Sequence, residues 1–134
     1  MRSALWALIL LIATGVSAAA ADIAGTWKTV VTGGVIHKTI SQATFVFEVD
    51  GTQLTGTAHV GGRGYPGTAP ISDGKIDGNR ISFTVVGRYP SSNGLPTMKF
   101  DGAVNGQEIA LTMELFDGTV DTGKTELKGT KISK

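Results

Sequence analysis

Asp50-Gly51, Asp77-Gly78 and Asn105-Gly106 each stand between two runs in which apolar residues recur at every second position. This arrangement constrains the chain more than any other feature. Such pairs supply the positive φ angles of a two-residue hairpin. A period of two belongs to a strand with one buried face.

Eight strands follow from that reading. The buried faces are Ile23, Gly25, Trp27, Thr29 and Val31 in the first strand, and Ala43, Phe45, Phe47 and Val49 in the second. Leu54, Gly56, Ala58 and Val60 make the third, and a short fourth strand runs from about Ile71 to Ile76. Ile81, Phe83 and Val85 make the fifth, Met98, Phe100, Gly102 and Val104 the sixth, and Ile109, Leu111, Met113 and Leu115 the seventh. The eighth spans about Lys124 to Ser133. With Asp50-Gly51 as the turn, Phe47 is predicted to face Leu54 and Ala43 to face Ala58. With Asn105-Gly106 as the turn, Phe100 faces Leu111 and Met98 faces Met113. A one-residue slip would turn each apolar face outward.

The segment Asp73 to Thr84 resembles Asp101 to Thr112 at an offset of 28 residues. The unit is too short for a solenoid and reads as successive hairpins of one meander. The connections after strands two, four and six are tight. Those after strands one, three, five and seven are predicted to be long, at residues 32–41, 61–69, 87–96 and 116–123. In an up-and-down meander, alternate connections lie at opposite ends. The expected fold is therefore an all-β, eight-stranded antiparallel up-and-down barrel, with all long connections at one end. A β-sandwich built from the same hairpins is the alternative.

The N-terminus has a different character. Met1-Arg2 precedes an apolar run from Ala4 to Val16, and Ala19-Ala20-Ala21 offers a small-residue cleavage site before Asp22. This is the layout of a secretory signal peptide over residues 1–21, with residues 22–134 as a single mature domain. The run is shorter than the roughly 20 residues of a membrane span. Removing residues 1–21 takes away Arg2 and no acid, leaving 11 basic and 11 acidic residues. That balance argues against a nucleic-acid partner. The absence of cysteine excludes disulfides and thiolate zinc sites. Export without cysteine points to a bacterial secreted or periplasmic protein with no membrane span after cleavage.

Gly25-Thr26-Trp27 in the first strand and Leu54-Thr55-Gly56-Thr57 in the first hairpin, together with the meander, resemble the calycin group of avidin- and lipocalin-like barrels. The latter segment, with Ile71 to Ile76 and Ile81-Ser82-Phe83, is similar to small secreted bacterial β-proteins of unknown function. The resemblance implies a calycin-like barrel in which Trp27 plugs the closed end, with Lys128 or Lys131 stacked on it.

Candidate chemistry is sparse. Gly62 to Gly67 matches G-x-G-x-x-G, but Pro66 interrupts it and no helix follows, as a dinucleotide site requires. Five aspartates precede glycine (Asp50, Asp73, Asp77, Asp101 and Asp117), which turn chemistry explains. Glu48, Glu108 and Glu114 fall on outward faces. His37 and His59 are the only histidines, short of the three protein ligands usual at a catalytic zinc. Asp121 or Glu114 would have to complete such a site, so no metal and no cofactor is assigned. No G-x-S-x-G is present.

The long connections hold the most suggestive set. Arg63 and Tyr65 precede Pro66, and Arg88 and Tyr89 precede Pro90. Tyr65 and Tyr89 are the only tyrosines. Asn93 adds hydrogen bonding, and His37 lies beside Lys38. Planar, bifunctional Arg and Tyr suit recognition. The cationic bias favours an anionic or sugar-like ligand. The expectation is a secreted small-ligand-binding or accessory module, with His37, Arg63, Tyr65, Arg88, Tyr89 and Asn93 as the ligand-binding residues. Two alternatives stay open. One is a small extracellular hydrolase or lyase acting on carbohydrate, with His37 or His59 as base. The other is a self-associating structural β-protein using sheet edges or outward Val30, Val46 and Val86. A cavity lined by Tyr65, Tyr89 and Arg88 would support binding, whereas a barrel interior filled by Phe45, Phe83 and Phe100 would sink it.

Overall fold

The structure is a computed structural model that describes residues 23–34, 40–61, 68–87, 96–118 and 120–133. The predicted signal peptide lies outside them. The eight strands are β1 (Gly25–Gly34), β2 (Gln42–Asp50), β3 (Gln53–Gly61), β4 (Thr68–Asp77), β5 (Arg80–Val86), β6 (Pro96–Asn105), β7 (Glu108–Asp117) and β8 (Val120–Ser133). Each pairs antiparallel with the next, and β8 pairs with β1, closing a barrel in sequence order. The sandwich alternative is set aside, and the sheet has no free edge. The architecture is consistent with a calycin-like fold.

The inward faces are those the alternation predicts. Trp27, Phe45, Phe47, Leu54, Ile81, Phe83, Phe100, Leu111 and Leu127 are all buried. Four phenylalanines meet in the middle. Phe45 stacks on Phe47 at 5.5 Å and Phe83 on Phe100 at 4.8 Å, with edge contacts of 5.3 to 5.4 Å between the two stacks. Such offset and T-shaped pairs add stability beyond the area they bury.

The hairpin registers differ from expectation by two residues. Asp50 pairs with Gln53, so Phe47 faces Gly56 and Phe45 faces Ala58. Asn105 pairs with Glu108, so Phe100 faces Met113 and Met98 faces Leu115. The turn residues are thus Gly51-Thr52 and Gly106-Gln107. Gly51, Gly78 and Gly106 each have φ of 62°, and the residues after them do not have positive φ. One positive φ at the first central position is the pattern of a type II′ turn. The residue before each glycine is therefore the last of its strand. A shift of two keeps every side chain on its face, which is why the core was legible despite the wrong partners.

Two further corrections concern strand length. β4 is ten residues long rather than short. Its register shifts by one around Asp73, between Pro70 and Gly74 against β3 and between Ser72 and Lys75 against β5, with Asp73 at φ 52°. This shift lets Ile71 and Ile76, five residues apart, both face inward. β7 and β8 run on until Asp117 pairs with Val120, so the predicted long connection at 116–123 is a tight turn. The opposite end from the type II′ turns thus carries three long connections, at 35–41, 62–67 and 87–95.

Close approach between neighbouring strands depends on glycine at inward positions. A Cβ on Gly56 would sit 1.8 Å from the Val46 carbonyl oxygen, and one on Gly102 2.0 Å from that of Ala110. Neighbouring backbones approach there as no side chain would allow. Both glycines stand within β3 and β6, on the strand faces where the alternation places them.

Candidate functional site

The two ends of the barrel are built differently. At the type II′ end, Trp27 is fully buried and its indole N–H donates to the Ile23 carbonyl at 2.8 Å. Lys131 Nζ lies 5.7 Å from the ring centroid, the stacking partner that the resemblance offers together with Lys128. A plug of this size, hydrogen-bonded at its rim, seals that end.

The other end carries the three long connections. His37, Arg63, Tyr65, Arg88, Tyr89 and Asn93 all belong to them and lie outside the described residues. The strands fix where those connections leave the barrel. Ser41 N–H donates to the Gly61 carbonyl at 3.0 Å, and Gly87 N–H to that of Pro96 at 2.8 Å. Ile40 and Pro96 are buried where two of the connections rejoin the sheet. The phenylalanine cluster fills the barrel below.

His59 projects outward from β3 near this end. Its Nδ1 lies 3.2 Å from the Thr68 hydroxyl, its one described partner, and among the described residues no carboxylate is bonded to it to orient the ring as a base. Glu48 and Glu108 point outward, as predicted. Among the described residues, no group of three histidines or carboxylates converges as a metal site would need.

Two features escaped the sequence reading. Glu114 and Asp121 meet on the outer wall, drawn together by the tight β7–β8 turn. Hydrogen bonding to Asp121 is the chief cause that raises the Glu114 pKa. Partial desolvation and the Asp121 charge add to the rise, against Lys124 and Lys99. The Asp121 pKa is lowered, first by the Gly123 N–H it accepts at 2.9 Å and then by Glu114. Lys99 lies 5.2 Å from the ring of neighbouring Phe116. The second feature is inside. Thr29 and Thr125 are both fully buried. Thr29 donates its hydroxyl to the Ala43 carbonyl at 2.7 Å, whereas the Thr125 hydroxyl has no hydrogen-bond partner among the described residues.

No protein-family model, curated protein or solved structure matches the chain. The class of protein is therefore defined by architecture alone: a closed, eight-stranded antiparallel barrel with one plugged end.

Proposed function

We propose that this is an exported bacterial ligand-binding or accessory module, similar to other small secreted β-proteins, and that it takes its ligand at the long-connection end. His37, Arg63, Tyr65, Arg88, Tyr89 and Asn93 are the contact residues. The ligand is anionic or sugar-like, because arginine and tyrosine supply charge, planar donors and stacking faces together. The observation that carries the reading is the difference between the two ends: one is sealed by Trp27 and type II′ turns, while the other gathers three connections holding both tyrosines and two arginines. A rigid barrel carrying variable loops is a common way to position recognition groups. Since the phenylalanine cluster occupies the middle of the barrel, most of the ligand rests on the connections rather than deep between the strands.

The test is a thermal-shift screen of residues 22–134 against neutral sugars, sulfated sugars and phosphate, repeated with Arg63→Ala, Arg88→Ala and Tyr89→Ala. A stabilising compound whose effect is lost in these variants supports the reading. No stabilising compound, or one indifferent to all three variants, rejects it.

Self-association has an observation of its own. Val30, Val46 and Ile132 are 50%, 42% and 57% exposed, and they lie on three neighbouring strands, β1, β2 and β8. Sedimentation of the wild type against Val46→Thr with Ile132→Thr decides this second reading. A monomer in both rejects it.

A further inference from the structure

The turn joining β6 to β7 differs from its two sisters at the sealed end. Asp50, Asp77 and Asn105 each end a strand and precede a glycine with φ of 62°. Only Asn105 carries an amide there. An asparagine before glycine can react with its own main chain, because the glycine nitrogen has no bulky neighbour to screen it.

Three observations fall together at this turn. Asn105 and Gly106 are both exposed, and a Cβ on Gly106 would meet nothing within 4 Å among the described residues. Asn105 pairs with Glu108, which leaves the Gly106 N–H outside the ladder of the hairpin. From the neighbouring turn, Asn79 Nδ2 donates to Asn105 Oδ1 at 3.0 Å. That oxygen is where negative charge gathers when a nucleophile adds to the side-chain carbonyl. A donor already aimed at it lowers the barrier to addition.

We propose that Asn105 is a self-modification site, with Asn79 as the donor that promotes its deamidation. The Gly106 nitrogen adds to Asn105 Cγ, the Cγ–Nδ2 bond breaks, and a succinimide forms. Ammonia leaves with the proton that Gly106 nitrogen gives up. Water then opens the imide at either carbonyl, giving aspartate or isoaspartate. Aspartate suits this turn, since Asp50 and Asp77 hold the same place, and its carboxylate still accepts from Asn79. Isoaspartate routes the main chain through the side-chain methylene and breaks the register of residue 105 with Glu108. The site is independent of anything bound at the long connections.

The test incubates folded residues 22–134 at mildly alkaline pH and maps the products. Trypsin places the three asparagines of the chain in separate peptides, Ile76–Arg80, Tyr89–Lys99 and Phe100–Lys124. Conversion at Asn93-Gly94 therefore does not enter the result. The mass gain of amide-to-acid conversion is expected in Phe100–Lys124, with isoaspartate there detected by an isoaspartyl methyltransferase. Asn79→Asp keeps the shape and loses the donor. It and Asn79→Ala are each expected to slow conversion about fivefold, the effect of one hydrogen bond. In urea, where the contact is gone, both variants convert at the wild-type rate. Asn105→Asp mimics the aspartyl product and is expected to melt within a few degrees of the wild type; a larger fall overturns the fit of aspartate to this turn. Two outcomes overturn the site itself: Asn105 stays intact in the folded protein, or the folded Asn79 variants convert as fast as the wild type or faster.

Discussion

Replacing Trp27 with phenylalanine tests how the sealed end is held. Trp27 is fully buried, donates to the Ile23 carbonyl and lies beneath Lys131. Phenylalanine keeps an aromatic ring but removes the donor and leaves the Ile23 oxygen without that bond, at a cost of about 1–2 kcal/mol. The smaller side chain forfeits about 1 kcal/mol of apolar burial and leaves a void costing about 1 kcal/mol more. The weakened cation contact adds roughly 0.5 kcal/mol. The sum is about 4 kcal/mol. For a domain of this size, 1 kcal/mol corresponds to roughly 4 °C, so the melting temperature should fall by about 15 °C. Thermal unfolding followed by circular dichroism measures this directly. A fall of less than about 4 °C would refute the view that Trp27 holds the end through both packing and its hydrogen bond.

Other expectations follow from single features. Gly102→Ala places a methyl 2.0 Å from the Ala110 carbonyl oxygen, so the strands must separate, and a loss of about 3 kcal/mol or more is expected in urea unfolding. Arg80→Ala removes the exposed pair with Asp101 at 3.3 Å and should change stability by less than about 1 kcal/mol. The Glu114–Asp121 pair sets a pH signature. Glu114, with its pKa raised, contributes stability that is complete below its ordinary value of 4.5 and lost as pH rises through the higher folded value. Asp121, with its pKa lowered, contributes stability present above 3.8 and lost as pH falls through the lower folded value. The pair is therefore most favourable in the ordinary carboxyl range. Glu114→Gln keeps a donor without a titrating proton, so the decline on the alkaline side of that range should disappear from a series of urea midpoints against pH. An unchanged series counts against a shared proton.

Which side chains face the core was legible because burial on a strand follows a period of two, and that period survives errors in pairing. Hence Phe47 and Phe100 were read as inward although their partners were misjudged. The partners depended on where the turn begins. Asp-Gly is compatible with both type I′ and type II′, and only the backbone tells them apart. The β7–β8 connection was misread because Asp117, Gly118 and Asp121 look like a loop, whereas Asp117 pairs with Val120. That shortening is what brings Glu114 to Asp121, so their meeting was hidden too. Thr125 shares the parity of buried Leu127, a face that the sequence reading of the eighth strand does not assign. Its lack of a hydrogen-bond partner among the described residues is a property of three dimensions alone. The six predicted contact residues sit in connections, where no periodicity reports position.

The pairing of β1 with β8 brings the start of the barrel to its finish, with Thr26 beside Ser133. Both strands open and close at the end sealed by Trp27. Anything attached before residue 23 or after residue 133, whether a leader, a fused partner or a surface tether, therefore leaves from the end opposite the one where β1 joins β2, β3 joins β4 and β5 joins β6. A protein immobilised through either terminus would hold its long connections outward, like a cup fixed by its base.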